Sequence, residues 1–401
     1  MRKKFVVLLF LIPSTAFALL QSRNEDPLTT LQTKITQGRA TLEFEPEHGY
    51  LKSLLKNLDI PVSSQGLVFS KSSFQFPRIS PSTPRAIYFN DDTYVGFVQG
   101  GPVLEVISID PKAGPLFYTV SQDKQAPKFE RQTNQCLVCH YYFDAKLGGP
   151  RLVVLSLLTN ASGNDATGTP LFTSDQTPLD FRWGGWYVTG THGNQKHLGN
   201  LMVRATPGDN VDLIDYISHL DKRQGANVTD LTDRFDTKPY LSPHSDIVAL
   251  MTLVHQANVH NLMTVASLKI KPDSPAKLIS DIAEPLVEAL LFSGEAPLVS
   301  PVTGTSGFAE EFSQRGPRDH QGRSLRDFDL KHRLLRYPLS YLIYSKSLDE
   351  MPQPAKSYVY RRLNEVLTGE DTSPKFAHLS KGDRETIMEI LQDTKPEALA
   401  R

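Results

Sequence analysis

The sequence predicts an α+β fold: an antiparallel β-rich N-terminal part, a Cys-containing region that is again strand-like, and a mainly helical C-terminal half. Three observations carry this. Residues 66 to 121 hold short β-branched and aromatic runs separated by strong turn sequences. The segments 152–158, 186–189 and 200–204 repeat that character beyond the two cysteines. From Ser245 onward the apolar spacing changes to that of helices.

Taken in order, Leu28, Leu31 and Ile35 share one helical face, as do Leu51, Leu54, Leu55 and Leu58. Strands follow over Arg85 to Phe89, Tyr94 to Val98, Val103 to Ile109 and Leu116 to Val120. The intervening Asn90-Asp91-Asp92, Gly100-Gly101-Pro102 and Asp110-Pro111-Lys112-Ala113-Gly114 are turn chemistry, so the pattern is an antiparallel meander. A polar, turn-rich linker runs to about Pro243. Ile247 to Ala266 is a long apolar helix, and Ala276 to Phe292 a second one that Pro285 should kink. A loop from Ser293 to about Ser324 precedes three amphipathic helices at 326–346, 354–367 and 380–393, the last opened by a Ser380–Asp383 capping box. The regions expected are thus 1–18, 19–121, 122–243 and 244–401, with no internal repeat and no low-complexity tract.

Residues 1–18 read as an export signal. Arg2, Lys3 and Lys4 precede an apolar run from Phe5 to Ile12, and Ala16-Phe17-Ala18 is a cleavage pattern. An uncleaved N-terminal anchor is the alternative. After removal 383 residues remain from Leu19, with no transmembrane segment and a formal charge moving from −1 to −4. That balance excludes nucleic acid and an anionic membrane surface as expected partners. The only two cysteines are three apart, which is no disulfide framework for an exported chain.

Cys136-Leu137-Val138-Cys139-His140 has the spacing of covalent c-type haem attachment. On one helical turn, positions i, i+3 and i+4 face the same way, so two thiols reach the porphyrin vinyls while the imidazole binds iron from the same side. His140 is then the proximal ligand, its other ring nitrogen fixed by a carbonyl or similar acceptor. A thioredoxin-type redox pair, a structural zinc site and a plain disulfide or free thiols compete. The first lacks the usual preceding Trp, since Gln135 stands there, and the second lacks another Cys pair.

The pentapeptide resembles that of the c-type cytochromes. The whole mature chain resembles a group of exported bacterial proteins described only as cytochrome c domain-containing, through Phe89-Asn90-Asp91-Asp92, Arg182-Trp183-Gly184-Gly185-Trp186-Tyr187-Val188-Thr189-Gly190 and the Phe292 to Phe312 loop. The resemblance implies one covalent haem c on Cys136, Cys139 and His140, and electron transfer with no established substrate. The chain departs from small cytochromes in having strands after the motif and no Met in a distal Pro-rich loop.

For the sixth iron position the first candidates are His197 or His192, beside a glycine-rich segment able to approach a flat cofactor and two tryptophans, Trp183 and Trp186, able to stack on it. A loop with two surface histidines is the competing reading. His255 comes next, in the helical stripe Val248, Met251, His255, Val259 and Leu262, with His260 about 140° around the same helix on a face with less sign of burial. A buried hydrogen-bonded histidine explains His255 equally. Met202, Met251 and Met263 follow, then an open site. Arg151, Arg182 and Arg204 flank these segments and are candidates for propionate binding. Asn90-Asp91-Asp92 has calcium-ligand residues, although turn formation accounts for it.

The expected function is periplasmic single-haem electron transfer with periplasmic redox partner proteins. A haem-dependent oxidoreductase with an open sixth site is the alternative, given the large chain, and a haem sensor or assembly subunit the third reading.

Overall fold

The computed structural model describes residues 26–141, 148–203 and 212–399; the export segment 1–18 and Arg204 lie outside them. In chain order the elements are α1 (Pro27–Thr36), α2 (Leu51–Asn57), β1 (Gly66–Val68), β2 (Arg85–Phe89), β3 (Thr93–Phe97), β4 (Val103–Asp110), β5 (Gly114–Ser121), β6 (Phe129–Arg131), α3 (Leu137–His140), β7 (Leu155–Ser156), β8 (Leu171–Phe172), β9 (Trp186–Tyr187), α4 (Leu213–His219), α5 (Ile247–Lys269), α6 (Ala276–Leu290), α7 (Phe308–Ser313), α8 (Lys346–Asp349), α9 (Gln353–Leu367) and α10 (Lys381–Thr394). The fold is α+β, with the sheet in the N-terminal half and helices dominating the C-terminal half.

Seven antiparallel strands form one sheet in the order β6-β5-β4-β3-β2-β1-β9. The meander pairs as the turn sequences require. Asn90 Oδ1 accepts the backbone N–H groups of Asp92 and Thr93 at 3.1 and 2.9 Å, closing the β2–β3 turn. Because strand side chains alternate in direction, the two faces of the sheet differ. One carries Ala86, Tyr88, Val95, Phe97, Leu104, Val106, Leu116, Tyr118 and Val120, buried against α1 and α2. The other carries Phe89, Tyr94 and Ile109, which join the larger core around α5. Elsewhere on that second face, Arg85, Ile87, Val103, Glu105 and Ile107 are only half-buried.

Helix α5 spans 23 residues and is buried on all sides. The sequence stripe placed His260 on a less buried face; it is 1% exposed. The helix starts at Asp246, whose Oδ1 accepts Val248 N–H at 2.8 Å and Ala249 N–H at 3.2 Å. Its Oδ2 accepts the N–H groups of Thr305 and Ser306, so one carboxylate caps the helix and pins a distant loop. The helix crosses the sheet at the strand ends. Ile247 N–H bonds Thr189 O beside β9, Gln256 reaches Asn90 O, and Thr264 lies over Gly114 of β5. Its core takes residues from Val68 to Ala398, so the regions divided at 121 and 243 share one interior.

Helices 354–367 and 380–393 form nearly as expected, the second with its Ser380–Asp383 capping box. Helix α6 continues through Pro285 to Leu290. The expected helix at 326–346 does not form. Asp329 Oδ1 takes the N–H groups of Lys331 and His332, both at 2.7 Å, and Phe328 bridges Leu335, so side chains capture the donors a helix needs. Only a short 3₁₀ turn at Tyr341–Tyr344 follows. The strand-like segments after the cysteines are also shorter than expected. Leu155–Ser156 pairs with Leu171–Phe172, Trp186–Tyr187 joins the main sheet, and Asn200, at φ 67°, breaks the extension of 200–203.

Asp246→Ala removes the cap and the loop anchor together. It should lower unfolding stability by about 2 kcal/mol, since a lost N-cap alone reaches that size. A fall in the urea midpoint with unchanged slope is the expected result.

Candidate functional site

The chain leaves β6 at the sheet edge and turns onto the half-buried face. Gln132 N–H bonds Phe117 O at 2.8 Å, and its side chain donates to Thr119 Oγ1 at 2.9 Å. Residues Cys136 to His140 then form a single helical turn, with His140 N–H on Cys136 O at 3.0 Å. This places positions i, i+3 and i+4 on one side, as the spacing requires. Both cysteines are unpaired thiols; Cys139 is exposed and Cys136 half-buried. Val138 is 59% exposed, so the turn lies at the surface.

His140 is held on two sides. Its ring packs against Phe117 with centroids 4.6 Å apart. Its Nδ1 lies 2.8 Å from the carbonyl oxygen of Arg151, and Arg151 N–H bonds His140 O at 2.9 Å. A carbonyl only accepts, so Nδ1 carries the proton and Nε2 keeps its lone pair. Burial lowers the proton affinity of the ring, the Arg151 bond and Glu105 oppose this, and Arg85 and Arg151 reinforce it; the result is below the ordinary histidine value. The imidazole is thus neutral and pre-oriented as a ligand, with the acceptor that the sequence reading required.

The support continues inward. Asn261 of α5 accepts Leu152 N–H at 2.7 Å and donates to Leu152 O at 2.8 Å. A half-buried amide therefore fixes the backbone next to the residue that anchors His140. Nothing in the sequence singled out Asn261, although a polar pair, His260-Asn261, inside an apolar helix was the available signal.

Two further groups that sequence reasoning missed stand beside the turn. Arg85 and Glu105 form an ion pair at 2.8 Å. Glu105 also accepts from Ser73 Oγ at 2.5 Å and Gln75 Nε2 at 2.8 Å. Burial first, then the charge of Glu105 and the second thiol, push the Cys136 thiol up to about 11. A redox-active Cys pair has the opposite property, a lowered pKa.

The other candidates lie elsewhere. His192 and His197 are both buried, not surface loop residues, with ring centroids 4.8 Å apart and Trp183 edge-on to His197 at 5.7 Å. His192 Nε2 accepts Asn227 N–H at 3.0 Å. Burial, with His192 and Lys222 nearby, lowers His197 to about 3. They belong to the β9 end of the sheet, whereas the Cys136–His140 turn follows β6 at the opposite edge. Along α5, Ile247 touches the first group and Asn261 the second, a separation of ~21 Å at the helical rise. The structure does not bring His192 or His197 opposite His140.

The glycines of that segment serve chain packing. A Cβ on Gly184 would lie 2.8 Å from Leu157 O, and one on Gly185 2.6 Å from Ser70 Cβ. Trp183 and Trp186 are buried, and Trp186 donates to Leu155 O at 2.7 Å. His255 has both ring nitrogens engaged, Nδ1 with Asp175 at 3.1 Å and Nε2 with Ser340 Oγ at 2.7 Å, and stacks on Phe292 at 4.2 Å. This is the hydrogen-bonded alternative. His260 meets Asp91 O at 2.8 Å. Met251 is buried, Met263 accepts from Ser345, and Met202 is exposed near the β9 end.

Of the arginines, Arg151 lies at the site, its guanidinium 5.6 Å from the Phe172 ring centre. Arg182 is spent on the carbonyls of Thr177 and Asp175. Asp91 pairs with Arg326, and burial with Asp91 nearby raises Asp92 to about 6, so the turn reading accounts for this cluster. Among the described residues no three His, Cys, Asp or Glu side chains converge to hold a metal ion, and no helix is long and apolar enough to cross a membrane. Comparison with protein-family models, curated proteins and solved structures gives no match.

The residues fit a covalently held haem. Two thiols and one lone-pair-bearing imidazole share a turn, and among the described residues the buried Nε of Arg85 has no hydrogen-bond partner.

Asn261→Ala removes two half-buried hydrogen bonds and should cost about 1 kcal/mol. Hydrogen exchange should rise at residues 151–153 more than across the sheet. A second expectation concerns acid. Burial raises the Asp175 carboxyl, but His255, Arg182 and Asn258 together outweigh it and hold the group below its ordinary range. Its contribution is therefore complete above the unfolded value of about 3.9 and is lost as pH falls through the folded one. Asp175→Asn should destabilise by about 3 kcal/mol near neutrality, with the gap to wild type closing between about pH 5 and pH 2 in urea titrations.

Proposed function

We propose that this chain is an exported monohaem c-type cytochrome that transfers electrons in the periplasm. Cys136 and Cys139 would carry the thioethers and His140 would be the proximal ligand. The observation that carries this reading is the Nδ1 contact of His140 with Arg151 O, which leaves Nε2 free and neutral. Bound haem supplies an iron that cycles between ferric and ferrous states. The chain's own residues orient the imidazole, exclude water on the Phe117 side and keep the turn at the surface, where a redox partner protein can approach.

A second reading has a specific observation in its favour. His192 and His197 lie far from His140, and both nitrogens of His255 are occupied. That arrangement favours a sixth position open to a small molecule, and with it a haem oxidoreductase or sensor.

Mature protein from cells competent for cytochrome maturation should give a c-type pyridine haemochrome spectrum with one haem per chain, and Cys136→Ser should alter it. Colourless protein with intact thiols would sink the proposal. Carbon monoxide then separates the two readings: an unchanged reduced spectrum identifies a six-coordinate carrier, and ready binding identifies the open site.

A further inference from the structure

The half-buried face of the sheet beside the Cys136–His140 turn has a defined composition. Opposed residues in the register share a face, so Ile87, Glu105 and Thr119 line up across β2, β4 and β5, with Gly96 between them. Ile107 and Phe117 are paired on the same face. Ile87 and Ile107 pack at the margin of the α5 core and, like Val103, remain only half-buried, whereas the neighbouring Phe89 and Ile109 are fully covered. Apolar side chains left partly open next to the attachment turn are the surface a porphyrin ring would cover.

One cation belongs to this patch. Arg85 uses Nη1 on Glu105, and among the described residues its buried Nε has no hydrogen-bond partner. An unsatisfied guanidinium N–H in the interior is costly, so this donor calls for an acceptor that the described residues do not supply. Glu105 already accepts three hydrogen bonds, from Ser73, Gln75 and Arg85. Glu105 is paired with Thr119, which lies on the same strand face as Phe117, the residue that packs on His140, and this places the Arg85–Glu105 pair next to the cofactor's ligand. Haem carries two carboxylates on one edge, and an arginine fork is suited to receive one.

We infer that the patch of Ile87, Val103 and Ile107 seats the porphyrin and that Arg85 donates through Nε to one of its propionates. The inference rests on the haem reading above and adds the residue that orients the ring. Gly96 makes room for this. A Cβ there would come within 3.3 Å of Glu105 Cβ, so glycine lets the Glu105 side chain lie flat across β3 and hold Arg85 in place.

The test uses holoprotein carrying Arg85→Gln or Arg85→Lys, with the exposed Arg223→Gln as control. Attachment should survive in each, read by one haem per chain. In Arg85→Gln the propionate bending mode in resonance Raman spectra should move to the position of a weakly bonded carboxylate, and Arg85→Lys should restore part of that shift. The reduction potential should fall, because a cation that disfavours the ferric state has been removed. Glu105→Gln should raise the potential and leave the propionate mode in place. Attached haem with an unmoved propionate mode in Arg85→Gln overturns the inference while the cytochrome reading stands; a colourless wild-type protein overturns both.

Discussion

The architecture depends on the burial of a 23-residue helix that is not wholly apolar. A largely buried helix needs partners for most of the polar side chains it carries, because an unpaired group in the interior is costly. In α5 those partners come from every part of the chain. Gln256 meets Asn90, Tyr94 and Tyr341; His255 joins Asp175 to Ser340; His260 holds Asp91 O; Asn261 clamps Leu152. The cap at Asp246 ties in the 305–306 loop. Polar residues that weaken the helix as a hydrophobic object thus specify which segments pack against it.

The histidines show how the same residue type is put to different ends by its surroundings. His255 sits between a carboxylate and a hydroxyl with its ring on Phe292, and has no nitrogen to spare. His140 lies half-buried beneath a surface turn, with Nδ1 tied to a carbonyl and no partner on Nε2 among the described residues. Phe292 itself adopts φ 55°, and closes helix α6 through Phe292 N–H to Ala289 O and Ser293 N–H to Glu288 O. A glycine would be easier there, but its loss of the ring would uncover His255.

Much of the fold was legible because the meander and the long helices are governed by local pattern. Strand β2 was placed to the residue, and α5 to within a few positions. What failed was decided by side chains competing with the backbone. Asp327 and Asp329 dismantle the expected helix at 326–346, and Asn261 takes over the hydrogen bonding of Leu152 that a strand neighbour would have supplied. At the site, the five-residue motif carried its own geometry, including the need for a carbonyl on His140. Arg85 and Glu105 were invisible because they precede the motif by some fifty and thirty residues, and only the strand register brings them to it. The grouping of His192 with His197 was legible from spacing, but its distance from His140 depends on strand order, which no local pattern encodes.

The two supports of His140 come from different eras of synthesis. Phe117 and the strands beneath the turn are made before the cysteines, whereas Asn261, which locks Leu152 next to the Arg151 anchor, is 109 positions downstream of Leu152. A nascent chain displaying Cys136 and Cys139 therefore has a floor for the imidazole but no ceiling, and stays open to whatever chemistry modifies the thiols. Arrival of the long helix then completes the support of the ring through Leu152, while Cys139 stays exposed.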